Sequence, residues 1–142
     1  MTLAFIDTNV LVYSFDGTAP DKQARALALI RDALRSGTGR ISAQVIHEFT
    51  NVAMRKFSRP LTAAELGTYL DAVLFPMCQV PWTEALVRDA LSLAASRNVS
   101  WYDALIVAGA RASDCATLWS EDLQDGARFG PVRVRNPFRA EE

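Results

Sequence analysis

The chain has 142 residues, half of them hydrophobic and 22% charged, with a net charge of −1 and a pI near 5.8. That length supports one ordinary domain with a real core, and the composition is that of a soluble globular protein. It excludes a protein spanning a membrane on apolar helices of ~20 residues, because no apolar run approaches that length, and it lacks the global basicity of a nucleic-acid coat.

Leu3 to Ile6 is a short apolar run that suits a strand buried on both faces of a parallel sheet. A short helix follows over Thr8 to Phe15, entered through Asp7-Thr8-Asn9, residue types that cap helices well. After a loop from Gly17 to Pro20, Asp21 is placed to cap a helix through Arg35, with Ala24, Leu27, Ile30 and Leu34 on one face. Arg40-Ile41-Ser42 reads as the tail of a second strand. A helix over Ala43 to Phe57 carries Val45, Phe49, Val52 and Lys56 along one stripe. Thr62-Ala63-Ala64-Glu65 is a capping box for a helix that should stop near Pro76. Met77 to Val80 is a third strand candidate, and Thr83 starts a helix to about Ser96. Ser100 opens a helix whose Ala104 to Ala112 stretch is apolar nearly all round, so it should be deeply buried. Cys115 to Ser120 and Val132 to Val134 complete the strands.

Four or five short strands alternating with helices imply an α/β fold with parallel pairing through right-handed crossovers. No repeat, low-complexity stretch or linker divides the chain, so residues 1–142 are expected to form a single domain. No basic stretch precedes the first strand, so no signal peptide is expected. Cys78 and Cys115 lack CxxC spacing and read as reduced core thiols of a cytosolic protein.

Two acids stand where buried strands run out: Asp7 after the first, and Asp122 just beyond Thr117-Leu118-Trp119-Ser120. In open α/β sheets ligands bind outside the carboxyl ends of the strands. Glu48, at the edge of a helical stripe, and Asp103, near a helix start, can join them. Each has an ordinary alternative: Asp7 as an N-cap, Glu48 as a boundary residue with its head in water, and Asp103 as the returning acid of a Ser100 capping box. Around Asp122, Ser120, Glu121 and Asp125 compete for the same place. Taken together, four converging carboxylates would repel one another without a cation, and they form a hard oxygen set suited to Mg²⁺ or Mn²⁺. Such an ion polarises a phosphoryl oxygen and activates water for in-line attack. His47, the one histidine, has no second His or Cys at ligand spacing and reads as a surface or capping residue. There is no Walker loop and no GxGxxG stretch. Arg55, Lys56 and Arg59, with Arg133, Arg135 and Arg139, are candidates for a local basic rim.

Phe5-Ile6-Asp7-Thr8-Asn9-Val10-Leu11-Val12-Tyr13 resembles the opening of PIN-domain ribonucleases. Ser42 to Phe49, Tyr102 to Ile106 and Leu118 to Leu123 resemble their second, third and fourth motifs, in order. At this size the chain is similar to VapC-type toxins of toxin–antitoxin pairs. The resemblance implies a PIN-like three-layer fold and a Mg²⁺- or Mn²⁺-dependent endoribonuclease. It makes Asp7, Glu48, Asp103 and Asp122 the acidic quartet, with Ser120 and Asn9 as polar neighbours. Asp7, Asp103 and Asp122 are implied ligands, and Glu48 is a ligand or an orienter of water. It further implies RNA as substrate, a homodimer and a cognate VapB-like antitoxin. Val10, Leu11, Phe15 and apolar residues of the Thr62 to Leu74 helix are contact candidates for those partners, with core packing the preferred reading. Three rivals are weaker: a haloacid-dehalogenase-type phosphatase, which needs an acid where Asn9 stands; a non-catalytic module on the same scaffold; and a structure-specific DNA nuclease, for which the chain is compact.

Overall fold

The structure, a computed structural model, describes residues 2–139. Its centre is a five-stranded sheet in the order β2-β1-β3-β5-β4, built from β1 (Leu3–Ile6), β2 (Gly39–Arg40), β3 (Cys115–Trp119), β4 (Arg128–Phe129) and β5 (Val132–Arg135). β1 pairs in parallel with β2 and β3, and β3 with β5. The expectation of parallel strands fails at one edge. β4 runs antiparallel to β5, because two residues at a tight turn have no room for a crossover helix.

Helices cover both faces, as a parallel sheet requires. α2 (Pro20–Ser36) lies on the Ala4 and Ile6 side, and α7 (Trp101–Ala112) on the Phe5 side. Phe5 and Ile6 are consecutive residues pointing to opposite faces, and both are fully buried. Removing either from water contributes roughly 1.5–3 kcal/mol. α7 is buried from Ala104 through Ala110 apart from Leu105, which matches its apolar sequence. The remaining helices are α1 (Thr8–Tyr13), α3 (Ala43–Arg55), α4 (Ala63–Tyr69), α5 (Phe75–Met77) and α6 (Glu84–Arg97).

Several sequence expectations shift. α2 starts at Pro20, with Asp21 inside its first turn and no side-chain cap. Its buried stripe is Ala26, Leu29, Ile30 and Ala33, while Leu27 is exposed. The Met77 to Val80 segment is not a strand: Met77 ends α5, and Cys78 makes one isolated bridge to Ile41. The helical path ends at Met77, next to Pro76, where the sequence places its stop. A π-helical segment, Leu70–Leu74, hands over to α5 just before Pro76, and proline is tolerated in a first turn. The Thr62–Glu65 capping box forms as read. Gly39 is obligatory for a close approach, since a Cβ there would lie 2.7 Å from Met77 Sδ and 2.8 Å from Ala33 Cβ.

Val10, Leu11, Leu66 and Leu74 are core residues. Phe15, 37% exposed, packs in an aromatic cluster with Phe49, Phe57 and Tyr69. Cys78 and Cys115 are free thiols. Among the described residues no helix is long and apolar enough to cross a membrane.

Candidate active site

Asp7 leaves β1 and caps α1. Its amide donates to the Trp119 carbonyl at 3.0 Å, continuing the β1–β3 ladder by one residue. Its Oδ1 accepts from the Thr8 amide at 2.8 Å. Its Oδ2 accepts from Ser120 Oγ at 2.8 Å and from Asn9 Nδ2 at 3.2 Å. The capping alternative is therefore realised, yet it uses only one of the two carboxylate oxygens.

Ser120 is fully buried. While donating to Asp7, its oxygen accepts from the amides of Asp122 and Leu123 at 3.2 and 3.3 Å. That turn carries Asp122 back toward Asp7. Asn9 ties the two together: its Nδ2 also reaches Asp122 Oδ2 at 3.3 Å, and its Oδ1 accepts from the Glu121 amide at 3.1 Å.

Glu48 projects from α3, and its Oε1 accepts from Thr8 Oγ1 at 2.8 Å. Thr8 was not singled out in the sequence, because nothing in Asp-Thr-Asn signals a partner on α3. Ser100 caps α7 by accepting from the Asp103 amide at 3.2 Å. Among the described residues the Asp103 carboxylate makes no return bond, and the residue is half-buried. Gln44 Nε2 donates to the Tyr102 carbonyl at 3.1 Å, pinning the starts of α3 and α7 together.

Asp7, Glu48, Asp103 and Asp122 thus come from four elements and line one cavity of about 560 Å³. Glu121 also borders it but is bound by Tyr13 Oη at 2.9 Å and by Lys22 Nζ. Asp125 points away, accepting from the Asn136 amide at 2.8 Å and pairing with Arg139 at 3.0 Å. His47 is exposed and takes no part. Of the basic rim candidates, Lys56 and Arg59 line a neighbouring groove with Phe15, and Arg135 and Arg139 line another cavity; none borders the acids.

Burial pushes the Asp7 carboxyl up to about 6; the Ser120 and Thr8 hydrogen bonds oppose the rise, and the charges of Glu48 and Asp122 add to it. A nearly buried acid with acidic neighbours and no cation at hand is poorly stabilised as an anion. A divalent metal fits this donor set by its chemistry, since every donor is a hard oxygen. Among the described residues no three acids stand close enough to form a ready-made cage.

The PIN domain family matches residues 4–125, and the chain belongs to that family. PIN domains are generally nucleases, which typically use divalent metals, and nucleic acid is the class of substrate they indicate. Comparison with curated proteins finds no match.

Proposed function

We propose that this PIN-domain protein is a metal-dependent endoribonuclease, the toxin of a type II toxin–antitoxin pair, with residues 1–142 as a single domain. The observation that carries the catalytic part is the convergence of Asp7, Glu48, Asp103 and Asp122 on one cavity at the carboxyl ends of β1 and β3. Asp7, Asp103 and Asp122 would hold Mg²⁺ or Mn²⁺, directly or through water. Bound there, the ion would supply charge against the developing phosphorane and ready a water for in-line attack. Ser120 and Asn9 fix the Asp7 and Asp122 carboxylates, so these acids need not reorganise when substrate arrives. Thr8 holds one oxygen of Glu48, leaving the other to bind or orient water at the cavity wall.

The toxin assignment, a cytoplasmic location, a homodimer and a VapB-like antitoxin rest on the order and character of the four motifs. A cavity so acidic suits neutralisation by a basic side chain of that antitoxin. The test is cleavage of a panel of structured RNAs and matched DNAs by purified protein in Mn²⁺, Mg²⁺ or EDTA, beside Asp7→Asn. Metal-dependent RNA cuts that vanish in the variant are expected. Cleavage surviving in EDTA, or in Asp7→Asn, would overturn the reading.

A further inference from the structure

Six acidic side chains border the candidate active cavity, and no lysine or arginine does so among the described residues. A polyanion cannot be gripped there by side-chain charge, so its phosphates need cations nearby. A second cavity, of about 500 Å³, supplies them. Lys22, Arg25, Arg135 and Arg139 line it with Trp119 and Phe138, and Asp21 is its one acid among the described residues.

The two cavities share a wall. Lys22, on the basic side, holds Glu121, which borders the acidic side. The Trp119 carbonyl accepts the Asp7 amide at 3.0 Å, so the indole belongs to the strand position beside the candidate metal ligand. The guanidinium carbons of Arg25 and Arg135 lie 5.6 and 4.8 Å from the Trp119 ring centre. Cation–π attraction at these distances holds both guanidiniums against the indole. Arg25 Nε donates to the Pro137 carbonyl at 3.1 Å, and among the described residues its two terminal nitrogens have no hydrogen-bond or ion-pair partner. Arg135 has no ion pair among the described residues. In a chain of net charge −1, two oriented guanidiniums beside an acidic cavity match the planar fork that phosphate takes.

We propose that this cavity is an RNA-backbone subsite, in which Arg25 and Arg135 bind a phosphate flanking the one cut at the acidic cavity. The strand then crosses the Lys22–Glu121 wall between them. The proposal rests on the nuclease reading above and adds the course of the substrate across the protein.

The test is binding of a short fluorescent oligouridylate by anisotropy in EDTA, where metal-dependent cleavage is silent, over a range of salt. Arg25→Gln, Arg135→Gln and the double variant are compared with wild type, with Arg88→Gln on the exposed face of α6 as the charge control. Each single variant should weaken binding, and the double by about tenfold or more at low salt, its salt slope shallower by about 1.4 for two lost phosphate contacts. Arg135→Lys, which keeps the charge, should retain most of the slope, and thermal melts identify any variant that fails to fold. Arg135 is exposed, so its variant alone keeps the test decisive if Arg25→Gln misfolds. Wild-type affinity and slope in the folded variants, or an equal loss in Arg88→Gln, overturns the subsite. Arginine-dependent binding with no metal-dependent cleavage of the structured-RNA panel breaks the nuclease reading and leaves the subsite standing. Metal-dependent cleavage with undiminished binding in the double variant does the reverse.

Discussion

Asp7 and Asp125 are both carboxylates near the carboxyl end of the sheet, and the surroundings treat them in opposite ways. Asp125 is exposed and held below its ordinary range by the Asn136 amide and by Arg139. Asp7 is buried, pushed up to about 6, and faces Glu48 and Asp122 rather than a base. The first carboxylate has what it needs within the fold. The second is poorly stabilised as an anion by the fold, and carboxyls shifted in this way cluster at functional sites. Glu121 sits between the two cases: it borders the acidic cavity but is occupied by Lys22 and Tyr13.

The contrast breaks most visibly at Asp7 itself. Asp7→Asn should reduce RNA cleavage by about a hundredfold or more, beyond what loss of an outer partner of a metal site costs. It should melt at or above the wild-type temperature in EDTA, since it removes an anion that burial disfavours. A gel assay paired with a thermal melt checks both, and a sharp drop in melting temperature would mean that the Asp7 charge holds the fold together.

The same group sets a pH dependence. The carboxyl binds its proton more tightly in the folded state, about 6 against 3.8. The folded chain therefore holds more protons between those values, and stability from this group falls as pH rises through that window. The full span corresponds to about 3 kcal/mol, present below pH 3.8 and lost above about 6. Urea unfolding in EDTA at a series of pH values should show a difference between Asp7→Asn and wild type that grows from acid to neutral pH. A constant difference would contradict the assigned cause.

Smaller effects sharpen the comparison. Ser120→Ala removes the donor to Asp7 and leaves the Asp122 and Leu123 amides without their acceptor. It should destabilise by about 1–3 kcal/mol and lower cleavage by about 10- to 100-fold, as read by melts and initial rates. Asp125→Asn, by contrast, should leave the cleavage rate at the wild-type level with a slight fall in melting temperature. A large loss of activity there would place Asp125, not Asp122, in the working set.

Much of this was legible in the sequence because it is local. A four-residue apolar run followed by Asp-Thr-Asn specifies both a strand end and a cap. Ser100 three residues before Asp103 fixes the start of α7, and the apolar character of that helix predicts its burial. What could not be read depends on partners far apart in the chain. Lys22 decides the state of Glu121, and Arg139 with Asn136 decides that of Asp125; no spacing rule connects them. The Met77 to Val80 strand was misplaced because one backbone bridge to Ile41 is all that segment makes, and a four-residue apolar stretch cannot reveal how many of its amides find a ladder. β4 escaped notice because two residues carry no periodicity.

The brevity of the two outermost strands has its own consequence. β2 and β4 are each two residues long, and Ile41, just past β2, is already bridged to Cys78. An unpaired strand edge is a template on which another chain can add, and short edges offer little to template. Both edges of this sheet are thus poor templates, so at high concentration the folded chain should resist edge-to-edge aggregation.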